Sequence, residues 1–216
     1  MSAEVAQGEL KSLQSGAAEL GVALSSEQEA ELLRYLDLIY VWNRAAGLTT
    51  IVRANAVRLH LLDSLATLAS VSGNPCLDLG TGAGLPGLVL AIVTPATSFV
   101  LVESNRRRCS FLLEVVRVLG LRNVQVIESD VESLPKDIRY PVVISRAFRP
   151  PPEFARIASR LVAGDGRVVM MLADPTSSEL EELKAVSGLR VAETRRFSLP
   201  GGGERRTVVV LRPRPA

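Results

Sequence analysis

Leu77-Asp78-Leu79-Gly80-Thr81-Gly82-Ala83-Gly84-Leu85-Pro86-Gly87 is a strand end running into a glycine loop with a carboxylate at its entrance. Residues 75–79 read as a short buried strand and residues 88–93 as an apolar helix, so the stretch opens a βαβ unit. Glycines at 80, 82 and 84 let the backbone turn tightly and let a ligand lie against it without meeting a Cβ. The glycines alone fit two cofactor classes. Gly82-x-Gly84-x-x-Gly87 satisfies the dinucleotide spacing, with Glu103 near the distance expected of a ribose acid. Asp78 favours the other class, because a carboxylate at the strand tip opposes a pyrophosphate laid on the helix N-terminus. S-adenosylmethionine brings no phosphate and carries an ammonium and a sulfonium that Asp78 would favour. In that reading the helix N-terminus receives the methionine carboxylate, and Glu103, closing the apolar run 98–103, accepts from both ribose hydroxyls. A plain glycine turn without a ligand is the third account of the loop.

The chain of 216 residues suits one domain, or one domain with a helical extension. Apolar residues make up 47% and aromatics 4%, so Ala, Val and Leu fill the interior, as a parallel sheet under helices requires. A net charge of +2 neither requires nor excludes a nucleic-acid partner. No apolar run reaches bilayer-spanning length, and the polar N-terminus lacks a signal-peptide layout, so a cytoplasmic protein is expected. Cys76 and Cys109 lack metal-ligand spacing and read as buried fillers, and no metal constellation is visible.

The N-terminal third reads as helices. Ser25-Ser26-Glu27-Gln28-Glu29 resembles a helix start, after which Leu32, Leu33, Leu36, Ile39 and Tyr40 recur at helical spacing and Trp42 closes the face as a core anchor. A second helix is expected over 54–71. It carries His60, the only histidine, three residues before Asp63, and the spacing predicts a buried, mutually satisfied His–Asp pair, with a catalytic pair as the alternative. Beyond Glu103, Arg106-Arg107-Arg108 opens a helix closed by Gly120. Strands follow over 124–128, 142–145 and 166–172, with a helix over 154–161 between the last two, and a closing hairpin pairs 190–199 with 207–211. The loop 130–132 is placed to cover an adenine. Alternation through residue 172 implies a mostly parallel sheet with its ligand at the carboxyl ends of the strands.

Several motifs occur in order: Trp42-Asn43-Arg44 with Leu48-Thr49, His60-x-x-Asp63-Ser64-Leu65, the glycine loop ending Leu85-Pro86-Gly87, Arg107-Arg108-x-x-Phe111-Leu112, Ser145-Arg146-Ala147-Phe148 and Gly203-Glu204-Arg205. In these the chain resembles the RsmG family, also called GidB, over nearly its whole length from about residue 25. The resemblance implies an α/β fold, the class I S-adenosylmethionine-dependent methyltransferase, Rossmann-like with helices on both faces of the sheet and an N-terminal helical cap. The cap would be residues 1–72 and the cofactor-binding core residues 73–216, packed as one unit. The implied activity is methylation of a guanine N7 in small-subunit (16S) ribosomal RNA, on the RNA or a pre-ribosomal particle, by a monomer. The cofactor residues implied by loop and resemblance together are Asp78, Gly80, Gly82, Gly84, Leu85, Glu103, Val131, Glu132 and Arg146.

No general base is evident, which suits guanine N7: its lone pair is already available, and attack on a methyl group asks for positioning. Arg146 and Phe148 are the positioning candidates. Arg146 can bind the cofactor, an RNA phosphate or a neighbouring carboxylate, and Phe148 can face the base or pack in the core. Arg149, Arg195, Arg196, Arg205 and Arg206 either extend a basic surface or are ordinary solvated residues. Four positions depart from the family pattern. Leu172-Ala173 stands for Lys-Gly, which predicts a missing cation at the active edge. Leu59 precedes the histidine, with the usual arginine displaced to Arg58. Gly47 stands for Asn and Arg206 for His. These leave two alternatives open: a class I methyltransferase with a different RNA or small-molecule acceptor, or a catalytically impaired cofactor-binding assembly factor. A dinucleotide oxidoreductase is the third.

Overall fold

The computed structural model describes residues 3–185 and 188–215. Seven strands form one sheet: β1 (Cys76–Leu79), β2 (Phe99–Glu103), β3 (Val124–Glu128), β4 (Tyr140–Arg146), β5 (Val162–Leu172), β6 (Leu189–Ser198) and β7 (Arg205–Pro213). Their order is β3-β2-β1-β4-β5-β7-β6. The first five strands run parallel, and β7 and β6 join antiparallel as the expected hairpin. The connection reverses direction between β1 and β4, and in doubly wound sheets that switch point opens a crevice beyond the strand ends.

Period-2 alternation divides the core. Cys76, Phe99, Leu101, Val142, Ile144, Val169 and Val208 point to one face, where five helical segments cover them. These are α1 (Ala3–Glu19), α2 (Ser26–Ala46), a π-helical stretch Val57–Leu62 running into α3 (Asp63–Leu65), α4 (Gly87–Val93) and α5 (Arg106–Leu119). Leu77, Leu79, Val102, Val143 and Met170 point to the other face, under α6 (Pro151–Ser159) and α7 (Ser177–Lys184). Every residue of β1 is fully buried, as a central strand covered on both sides must be.

Caps set the helix ends. Ser25 and Gln28 form a capping box at α2, and Gly47 closes it in the left-handed region at φ 59°. Asn105 accepts from the amides of Arg107 and Arg108 to start α5, and Gly120 ends it at φ 65°. Two elements go beyond the sequence reading. α7 starts with the capping box Thr176/Glu179, a Thr-x-x-Glu signal that was available in the sequence. α1 buries Leu13 and Ala17, and Gly16 lets it approach so closely that a methyl group there would overlap the Leu62 side chain. The single helix expected over 54–71 is instead a series of short 3-10, π and α turns.

Candidate functional site

The loop after β1 is folded around Asp78. This carboxylate is fully buried. Its Oδ2 accepts from Thr81 Oγ1 at 2.6 Å and from the Gly87 amide at 2.9 Å, while Oδ1 has no partner. Burial pushes its pKa up to about 7, against the lowering pull of the Thr81 and Gly87 hydrogen bonds and the Arg146 charge. The expectation that Asp78 meets the charged end of a ligand is therefore corrected. On β1 it shares the inner face with Cys76, beneath the loop, and it does not line the cavity above. A methyl group on Gly87 would lie 2.7 Å from its Oδ2, which explains the glycine there.

Six amides of the loop and the start of α4 are also committed. Thr81 donates to the Val102 carbonyl, Gly84 and Leu85 to that of Thr81, Leu88 to that of Gly84, Gly82 to Glu103 Oε2 and Gly87 to Asp78. These bonds interrupt the run of amides that a pyrophosphate would need, and they take the first two amides of α4, those of Gly87 and Leu88. The expected seat of the methionine carboxylate at that helix N-terminus is thus partly taken by the chain itself, and the geometry joins charge in disfavouring a dinucleotide.

A cavity of about 420 Å³ lies over the loop at the β1/β4 switch point, lined by Gly80, Gly82, Leu85, Arg108, Arg146 and Arg206 among others. A recess of about 220 Å³ adjoins it through Gly80, Arg108 and Ala147 and is lined by Glu103, Val131 and Phe148. Of the nine residues expected at the cofactor, Gly80, Gly82, Leu85, Glu103, Val131 and Arg146 converge on these two spaces. Gly84 does not; it sits at φ 90° against Leu88 and Leu112 as a packing position. Glu132 lies outside the recess, exposed and paired with Arg160 at 2.9 Å. A larger cavity of about 600 Å³ lies at the far side, among Gln28, Ile92 and Leu121, away from the glycine loop and the carboxyl strand tips.

Gly80 holds φ 63°, and a methyl there would overlap the Phe148 ring. Phe148 is half-buried over the loop, with the Arg149 guanidinium 5.3 Å from its centroid. It thus both packs and borders the recess. Ser145 Oγ ties β4 to β1 by donating to the Leu79 carbonyl at 2.9 Å. The next but one residue, Ala147, is the only non-glycine with positive φ among the described residues, at 53°, on the wall shared by both spaces. Glu103 accepts from the Gly82 amide at 3.0 Å through Oε2 and from the Asn105 amide at 2.8 Å through Oε1. It stays largely buried with its remaining lone pairs toward the recess.

The predicted His60–Asp63 pair does not form. The π-helical winding changes the angle between the two residues, and each finds other partners. His60 Nε2 shares a 2.9 Å hydrogen bond with Thr49 Oγ1 and its Nδ1 has no partner; burial and the Arg146 charge lower its pKa to about 4. Asp63 instead binds two arginines, Arg146 Nη1 at 3.3 Å and Arg206 Nε at 3.0 Å. Of the three partners open to Arg146, the structure shows the neighbouring carboxylate, together with the Leu59 carbonyl at 2.9 Å. The expected loss of a cation beside Leu172-Ala173 is also corrected: Arg206 lines the same cavity as both residues. Arg58 pairs with Glu204 at the start of β7.

Sequence reasoning missed Tyr35. It is fully buried in α2, and its hydroxyl donates to the Ala83 carbonyl at 2.6 Å, fastening the helical layer to the glycine loop. It also missed the way Asn43 takes the amides of Leu48 and Thr49 on Oδ1 and so fixes the cavity wall around Leu48. The motif Trp42-Asn43-Arg44 with Leu48-Thr49 held that second signal.

The profile of the family described as "GidB: rRNA small subunit methyltransferase G" matches residues 28–208. "Ribosomal RNA small subunit methyltransferase G" of Stenotrophomonas maltophilia is 39% identical, over 93% of this chain and 94% of that protein. The protein of the same description in Nitrosospira multiformis is 38% identical, over 93% and 95%. Among solved structures, a Burkholderia thailandensis 1,6-didemethyltoxoflavin N1-methyltransferase with bound S-adenosylhomocysteine superposes with a TM-score of 0.60 at 14% identity, over 90% of this chain and 93% of that one. A SAM-dependent methyltransferase from Aquifex aeolicus gives 0.56 at 19% identity, over 73% and 92%. These two share the fold.

Proposed function

Because the chain belongs to the GidB family of small-subunit ribosomal RNA methyltransferases, we propose that it transfers the methyl group of S-adenosylmethionine to N7 of a guanine in 16S ribosomal RNA. The observation that carries this reading is the convergence of Gly80, Gly82, Leu85, Glu103 and Arg146 on two joined spaces at the sheet's switch point.

The residues present fit the cofactor. Gly82 leaves its Cβ side open, with nothing nearer than the Gly80 carbonyl at 4.0 Å, so a ligand can lie directly on the loop. Glu103 offers its unused lone pairs to a ribose diol, and Val131 offers an apolar wall to an adenine. Arg146, which shares Asp63 with Arg206, retains positive charge for the cofactor carboxylate. When bound, S-adenosylmethionine supplies an electrophilic methyl group on a sulfonium. The remaining task of the chain is to present guanine N7 in line with that methyl and to keep water out; no side chain has to take a proton. His60, buried and with its pKa lowered to about 4, is neutral at working pH and serves to hold Thr49. Ala147, on the wall common to both spaces, and Phe148, which lines the recess, are the positioning residues nearest an entering base.

The enzyme is read as a monomer acting in the cytoplasm on the RNA or a pre-ribosomal particle. Among the described residues no helix is long and apolar enough to cross a membrane, and no cluster of His, Cys, Asp and Glu is set to hold a metal. Labelled S-adenosylmethionine with unmodified small-subunit particles tests the reading. Label on a guanine N7 is the expected result, whereas label on another atom or class of acceptor, or none, overturns it.

A further inference from the structure

The β6–β7 hairpin carries the sheet's carboxyl edge past β5, and of its arginines Arg196 and Arg205 line neither of the two spaces just described. Cross-strand register sets Phe197 opposite Arg206 and Ser198 opposite Arg205, while Leu172 at the end of β5 faces Thr207. A cleft of about 290 Å³ opens there, lined by Asp174, Arg196, Phe197, Ser198, Arg205 and Arg206. Arg206 lines this cleft and the cofactor cavity alike, so the two meet at one side chain.

Three guanidiniums and one carboxylate thus line one cleft. Arg206 is held at two of its three nitrogens: Nε donates to Asp63 at 3.0 Å and Nη1 to the Arg205 carbonyl at 2.9 Å, which orients the planar group and leaves Nη2 without an acceptor among the described residues. Arg196 is exposed and makes no hydrogen bond or ion pair among the described residues. Arg205 reaches Asp174 at 3.5 Å, and both side chains are more than half exposed, so the pair does little to hold the fold. Charge gathered at a substrate edge without serving stability is available to an anionic partner. Guanidinium forks match phosphate geometry, and phosphate contacts are what set the register of a nucleic acid on a protein.

We propose that this cleft seats a backbone phosphate of the RNA strand beside the target nucleotide, with Arg196 and Arg206 as its donors and Asp174 as an opposing charge that moderates the grip. The proposal rests on the ribosomal RNA reading of the adjoining site. Because Arg206 touches both spaces, a phosphate here fixes the strand at a set offset from the methyl-transfer point.

Arg196→Ala and Asp174→Asn test it with opposite signs, and both positions are exposed enough to leave folding intact. For Arg196→Ala the KM for unmodified particles rises about fivefold, the slope of log affinity against log salt shrinks by about 0.7, and calorimetric affinity for S-adenosylmethionine is unchanged. For Asp174→Asn the same KM falls and the slope steepens. A purely structural role would move neither slope. Wild-type KM and slope in both variants overturn the cleft. If the wild-type protein methylates no particle, the acceptor reading fails, and the same salt titration against unmodified 16S RNA still decides the cleft by the presence or absence of the two opposite shifts.

Discussion

Gly80 is the residue on which most of the site depends, for two separate reasons. Its φ of 63° costs an L-residue about 1–2 kcal/mol, and any Cβ there runs into the Phe148 ring. Gly80→Ala should therefore weaken S-adenosylmethionine at least about tenfold in a calorimetric titration; an unchanged Kd would show that neither backbone nor ring needs its present place. Asp78 makes a different prediction. Its folded pKa of about 7 lies above the 3.8 of a free aspartate, so the folded state holds the proton more tightly. The stability this contributes is complete below about pH 4 and is lost as pH rises through about 7, a swing on the order of 4 kcal/mol. Asp78→Asn should flatten the urea midpoint across that window, and a variant that keeps the wild-type slope would refute the assignment. The acid was legible as part of the loop, but its direction was not. That depends on Gly87 folding back to donate to it, a contact nine residues along the chain.

At the scale of elements, helix and strand order followed from period and caps, and the departures cluster where the chain binds. Residues 54–71 have helical composition, yet the winding changes from 3-10 to π to α so that His60 can reach Thr49 while Asp63 reaches β4 and β7. Local propensity carries no trace of partners that arrive from 83 and 143 residues away. Being the only histidine, His60 reports directly on this packing: its ring resonances should stay those of the neutral form to about pH 5 and titrate near 4, against the usual 6.5. Since the folded pKa is lowered, the associated stability is present above about pH 6.5 and is lost as pH falls through about 4. A midpoint near 6.5 would mean that the ring is solvated and the wall formed by Leu48 and Thr49 is loose.

For the whole molecule, the helical layer and the sheet share one apolar cluster that runs from Leu13 and Tyr35 through Leu88 and Phe111 to Val210. Cap and core are accordingly expected to unfold in one transition, and removal of residues 1–24 should lower stability on the order of 4 kcal/mol through loss of Leu13, Ala17 and the Glu9–Arg53 pair. A truncated chain with an unshifted denaturation midpoint would instead make α1 an appendage. That helices precede the first strand was readable from the sequence. The continuity of helical layer and sheet was not, since it hangs on contacts such as the Tyr35 hydroxyl at the Ala83 carbonyl. That single bond has a thermodynamic corollary. A ligand that steadies the glycine loop must also steady α2, and by reciprocity whatever loosens α2 must weaken the ligand. Saturation with cofactor should slow amide hydrogen exchange along Ser26–Ala46, a helix whose Tyr35 stands outside both cavities, and Tyr35→Phe should break that communication while leaving the cavity walls intact.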